Sequence, residues 1–142
     1  MNLLPDQARE RFAAARVARL ATAGPDGVPH LVPIVFALDG DVLYSAVDAK
    51  PKRTTSLRRL ANVAANPAVA VLADHYDEDW SALWWARADG AGTVLDRDDP
   101  DVAAEVGRAL GLLAGRYPQY LQAPPPGPVL RVAVTRWSGW SG

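Results

Sequence analysis

Val28-Pro29-His30-Leu31-Val32-Pro33-Ile34-Val35-Phe36-Ala37-Leu38 is the stretch on which the fold turns. Val28, Val32, Ile34, Phe36 and Leu38 fall on alternate positions, which gives an extended strand one apolar face. Pro29 and Pro33 cannot donate to a strand ladder, so they place this strand at an edge or a bulge. Turn signals bound it on both sides, Gly24-Pro25-Asp26-Gly27 before and Asp39-Gly40 after. Beyond them lie the strand-like segments Val17–Ala23 and Val42–Val47, and the three together predict an antiparallel meander.

Three more strands are expected: Ala68–Ala73, Leu83–Leu95 with a bend or bulge at Gly90 and Gly92, and Val129–Trp137. A short amphipathic helix opens at Pro5-Asp6 and carries Ala8, Phe12 and Ala15. Thr54 and Thr55 can cap a second helix with Leu57, Leu60, Ala61 and Ala64 as its apolar stripe, stopped by Asn66-Pro67. Asp99-Pro100 opens a third with Val102, Val106, Leu110 and Leu113 on one face. Six or so antiparallel strands in Greek-key order with a few short helices make an α+β, mainly β, protein whose sheet curls into a barrel. Residues 1–142 are read as a single domain. Leu31, Val35 and Ala37 lie opposite Val32, Ile34 and Phe36, so these strands are apolar on both faces and need a second cover. A homodimer supplies it; a monomer with some exposed apolar side chains is the alternative.

Fifteen Lys and Arg against sixteen Asp and Glu leave a net charge of -1, which argues against nucleic acid or an anionic membrane as partner. The chain has no Cys, which removes disulfides, thiolate nucleophiles and Cys-ligated metals together. Met1 to Asp6 lacks a basic signal region, and no run of residues is apolar enough for a membrane span, so a cytoplasmic protein is expected. His30 and His75 show neither metal-ligand spacing nor a nucleophile elbow, and read as surface or loop residues. His30 alone shares a face with Val32 and Ile34, from which it can reach a pocket.

Asp48-Ala-Lys50-Pro-Lys52-Arg53-Thr54-Thr55 stands where a strand hands over to a helix. Three cations, two hydroxyls and the free N–H groups of a helix start are what a phosphate seeks. Cations at this end oppose the helix dipole unless an anion neutralises them. A solvated basic loop is the simpler reading of the same residues, and Arg58 and Arg59 either extend the patch or face solvent.

Lys50 to Ala73, with Val32-Pro-Ile-Val-Phe36, Trp84-Trp-Ala-Arg-Ala-Asp-Gly90 and Arg136-Trp-Ser-Gly-Trp140, resembles the split β-barrel proteins of the pyridoxamine-phosphate-oxidase-like class. The likeness is to the actinobacterial F420-dependent oxidoreductases of the B subgroup. The resemblance implies a split β-barrel homodimer that uses coenzyme F420 to move hydride to or from a small organic substrate. It implies that Lys50, Lys52, Arg53 and Thr54 hold the phosphate, that Pro33, Ile34, Tyr44, Ser45 and Ala46 line the ring system, and that Ala73 and Asp74 approach from the partner subunit. It assigns no catalytic side chain, since the cofactor carries the chemistry. FMN in place of F420, or a non-catalytic carrier of F420, flavin or a tetrapyrrole, are the alternatives. Trp84 and Trp85 must point to opposite faces of a strand, one into the core and the other free to stack on ring or substrate.

Overall fold

The structure is a computed structural model that describes residues 1–47 and 53–142, with the side chains of residues 53–57 outside the description. Seven strands form one antiparallel sheet: β1 Ala18–Ala23, β2 Pro29–Ile34, β3 Ala37–Asp39, β4 Val42–Ala46, β5 Ala68–His75, β6 Trp84–Leu95 and β7 Val129–Ser141. The helices are α1 Pro5–Ala14, α2 Arg53–Ala65, α3 Ala103–Arg116 and α4 Gln119–Gln122, with a 3-10 turn at Trp80–Ala82 before β6. The sheet order is β2-β1-β5-β6-β7-β4-β3, and among the described residues no ladder joins its two ends. The α+β, mainly β, split architecture expected from the sequence is thus present, as an unclosed barrel.

The meander is corrected. The long strand breaks at Val35-Phe36, so that β2 pairs with β1 at one edge of the sheet and β3 pairs with β4 at the other. Apolar alternation cannot reveal the crossing, because Val32, Ile34 and Phe36 all stay in one core while the backbone changes partners. The unpaired backbone at the crossing is satisfied by one phenol. Phe36 donates its N–H to the Tyr117 hydroxyl at 3.1 Å, and that hydroxyl lies 2.9 Å from the Phe36 carbonyl and 3.0 Å from the Arg16 carbonyl, either of which can take its proton.

Leu20, Val32, Ile34, Phe36, Leu43 and Val71 fill the inner face, closed at one side by Phe12 of α1 and at another by Val63 of α2. Phe12 packs against Phe36 and Trp137 with ring centroids 4.8 and 5.3 Å away. Arg116 fixes α1 from the far end of α3: its guanidinium donates to the Ala13 carbonyl at 2.9 Å and also to the Ala15 carbonyl, so the last carbonyls of the helix find donors.

Two other expectations change. The second helix begins at Arg53, which puts Thr54 and Thr55 inside its first turn rather than at a cap. Among its described side chains the buried one is Val63, while Ala61 and Ala64 are exposed; Leu57 lies outside the description. Local contacts set this rotation: Asn62 Nδ2 donates to Thr22 Oγ1 at 3.1 Å, and a Cβ on Gly92 would stand 3.0 Å from Val63. The irregularity falls where glycine predicted it: the register of β6 against β7 shifts between Asp89 and Gly90, and the extra residue, Thr135, belongs to β7. A Cβ on Gly90 would run into the Ala133 carbonyl. Strand β7 runs four residues beyond Trp137, to Ser141, because β6 offers it partners along its whole length. Among the described residues no helix is long and apolar enough to cross a membrane.

Candidate functional site

The bulge divides the outer face of the sheet into two halves. Beyond it, Leu95, Val129 and Tyr44 point outward and are covered by Val106 and Ala109 of α3. Before it the face is bare. Ala21, Leu31, Ala70 and Leu72 line a shallow depression there, framed by Arg19, Asp74 and Arg87. Leu31 is 67% exposed. Arg19 pairs with Asp74 at 3.8 Å and Arg87 with Asp89 at 3.0 Å, so the charges on this face alternate. Trp85 shares the bare face with Arg87, whose guanidinium lies 5.8 Å from its ring, while Trp84 turns inward to the core and to Arg11.

Pro33 and Asp74 both flank Arg19 on this bare face: Arg19 stands opposite Pro33 in the register and pairs with Asp74. Ile34, Ser45 and Ala73 point the other way, into the core, with 5%, 3% and 0% exposure. Tyr44 lies under α3, 1% exposed, and Ala46 packs against the cluster of Ala37, Leu113 and Tyr117 that also receives Val35. Lys50 and Lys52 lie outside the described residues, as do the side chains of Arg53 and Thr54; the backbone of Arg53 opens α2. The first turn of α2 contains no acidic residue. An anion held by the basic segment would therefore complement both the helix dipole and the local charge, and the donor set fits a phosphate. Arg58 is exposed one turn on. His30 is half-buried in β2 rather than in a loop, and its Nδ1 is enclosed with no hydrogen-bond partner among the described residues.

A charged network lies beneath α3. Tyr44 donates its hydroxyl proton to Glu105 Oε2 at 2.7 Å, and Arg131 holds Glu105 Oε1 at 2.7 Å. Arg108 reaches the Tyr44 oxygen at 3.4 Å and pairs with Asp39 at 3.4 Å. Burial, and then the hydrogen bond to Glu105, push the Tyr44 phenol above its ordinary value. The network ties β3, β4 and β7 to one helix, and it leaves Tyr44 neutral and occupied.

The sequence did not point to Arg16, Tyr117, Gln119 or Gln122, which line a groove of about 580 Å³ beside Val17, Val35 and Pro118. Arg116 to Tyr120 reads as a connector, and Pro118 after an apolar helix was its only signal of a new element. Among the described residues no cluster of three or more His, Cys, Asp or Glu is placed to hold a metal ion.

Comparison with known proteins places these features in a family. The profile for pyridoxamine 5'-phosphate oxidase matches residues 4–141. A search of curated protein sequences finds no match. Among solved structures, a FAD-binding protein from Mesorhizobium loti is 22% identical, with a TM-score of 0.74 over 98% of this chain and 95% of that one. The FAD binding protein from Mycobacterium smegmatis is also 22% identical, with a TM-score of 0.66 over 99% and 98%. HutZ, the heme storage protein from Vibrio cholerae, is 13% identical, with a TM-score of 0.69 over 98% and 95%. At these identities the structures share a fold with the chain. The profile match spans nearly its whole length, and the chain belongs to the pyridoxamine 5'-phosphate oxidase family.

Proposed function

We propose that this protein is an oxidoreductase that binds coenzyme F420 between two copies of the chain and brings it to a small organic substrate. The observation that carries this reading is the strand-to-helix handover. The chain leaves β4 and enters α2 through Lys50, Lys52 and Arg53, and the first turn of that helix has no carboxylate to neutralise them. When bound, the cofactor would supply the hydride, and the acceptor would take the one proton that completes its reduction from water. The chain's own part is to bind, orient and exclude solvent. The basic segment holds the phosphate, Pro33 and Ala46 flank the ring from one copy, and Asp74 approaches from the bare face of the other. Ile34, Ser45 and Ala73 support those positions from beneath, and Tyr44 braces β4 against α3 through Glu105. Flavin is the second reading, favoured by the FAD-binding proteins that share the fold.

Titration of the purified protein with F420 and FMN at low and high salt tests the choice. F420 is expected to bind more tightly, and its affinity to fall more with salt, because its longer anionic tail meets more screened charges such as Arg58. Lys52→Glu is expected to cost ~2 to 4 kcal/mol of F420 affinity with the fold intact. Tighter binding of FMN would move the assignment to flavin. Tight F420 binding without oxidation of reduced F420 by any acceptor of a broad panel would make the protein a carrier.

A further inference from the structure

We propose that the groove between the end of α1 and α4 is a binding site for a flat aromatic monocarboxylate. Its apolar lining is Val17, Val35, Pro118 and Tyr117, and Val17 is 41% exposed. Its volume, about 580 Å³, falls in the range of small-molecule sites. Beside this lining stands a cation with its orientation already fixed. The Arg16 guanidinium carbon lies 4.9 Å from the centre of the Tyr117 ring, and Nη2 donates to the Arg116 carbonyl at 2.6 Å. That bond uses one of the five N–H groups of a guanidinium and leaves the rest for a ligand. Among the described residues no carboxylate lies within 4.0 Å of Arg16, although Arg9, Arg19, Arg87, Arg108 and Arg131 each have at least one.

Gln119 and Gln122 line the same groove from α4. They are three residues apart and so share a side of the helical turn. Neither primary amide makes a hydrogen bond among the described residues, so both are available to a second oxygen or to the ring substituents of a ligand. One guanidinium and two amides match a single negative charge with two acceptor oxygens; a phosphate dianion would leave charge uncompensated beside an apolar lining. The lining asks for a flat apolar body of one or two rings. Val35 also packs on the Ala37, Leu113 and Tyr117 cluster that receives Ala46, the last residue of β4. The groove therefore adjoins the ring position described above. Its role as the pocket of the hydride acceptor rests on that reading, whereas carboxylate binding itself needs no cofactor.

The test is an amide-resolved NMR titration of the full-length, cofactor-free protein with a naphthoate and with the matching neutral naphthamide. The naphthoate is expected to bind roughly tenfold more tightly, with shifts concentrated at Val17, Val35 and α4, as charge-assisted bonds to a guanidinium favour the anion. Arg16→Gln should abolish that preference. Since Arg16 also packs on Tyr117, the double variant Gln119→Leu/Gln122→Leu, at two exposed positions, serves as the independent check and should weaken naphthoate several-fold with an unchanged spectrum elsewhere. Equal affinity for both probes, or a preference that survives in both variants, overturns the proposal. A failed F420 titration would leave the naphthoate result standing, and the converse holds as well.

Discussion

At the scale of single residues, two tyrosines carry much of the fold's specificity. Tyr117 takes the Phe36 N–H at a point where the backbone has left one sheet edge and not yet joined the other. Tyr117→Phe keeps the ring and removes the acceptor, so a buried N–H is left unsatisfied. A loss of about 1–3 kcal/mol is expected, read as a lower urea midpoint with unchanged slope. Tyr44 gives a pH signature. Its phenol is raised above the ordinary value of 10.0, first by burial and then by Glu105, so the folded protein keeps a proton that the unfolded chain loses. The stabilisation is complete below pH 10 and declines as pH rises through the higher folded value. Unfolding free energies measured on the alkaline side should therefore fall with pH in the wild type and fall less steeply in Tyr44→Phe.

At the scale of elements, the β6–β7 bulge separates the part of the sheet that α3 covers from the part it leaves bare. Gly90 sits where the register slips, and the Ala133 carbonyl occupies the space a side chain would need. Gly90→Ala is expected to destabilise by roughly 1–3 kcal/mol, because the two strands must part to admit a methyl group. Gly107→Ala in α3 has nothing within 4 Å of its new Cβ and is expected to be neutral or stabilising, by up to ~1 kcal/mol. Thermal unfolding of the two variants separates an overpacking effect from a helix-propensity effect. A Gly90→Ala protein as stable as the wild type would mean that the bulge does not constrain the pair.

At the scale of the whole molecule, the bare half of the sheet asks for a partner, and we infer that a second copy of the chain provides it. Leu31, Leu72, Ala21 and Ala70 form an apolar patch, and the Arg19–Asp74 and Arg87–Asp89 pairs alternate in sign around it. Under a two-fold axis such a surface is self-complementary, since each cation can face an anion of the other copy. The protein is expected to be a dimer burying at least ~1,200 Å², the lower bound of a stable interface. Leu31→Glu, which places a charge at a position 67% exposed in the single chain, should yield a folded monomer. Light scattering at micromolar concentration checks both forms, and a monomeric wild type would refute the inference.

The sequence by itself determined the three longer helices and nearly every strand segment, though not α4, because local periodicity, turn glycines and prolines act within a few residues of one another. Gly90 marked the bulge, and Asn66-Pro67 ended α2. It also marked the basic handover from strand to helix, since charge and helix position are both local properties. Only the tertiary structure decided that Val28–Leu38 serves two sheet edges rather than one strand, because the same apolar alternation satisfies one core on either side of Val35-Phe36. The rotation of α2 onto Val63 likewise followed from Thr22 and Gly92, distant in sequence. The division of the named residues between the bare face, the core and the underside of α3 was equally out of reach, for a strand's alternation tells which residues share a face and not what covers it. The groove of Arg16, Gln119 and Gln122 joins residues about a hundred positions apart, and only the packing of α3 against the end of α1 brings them together.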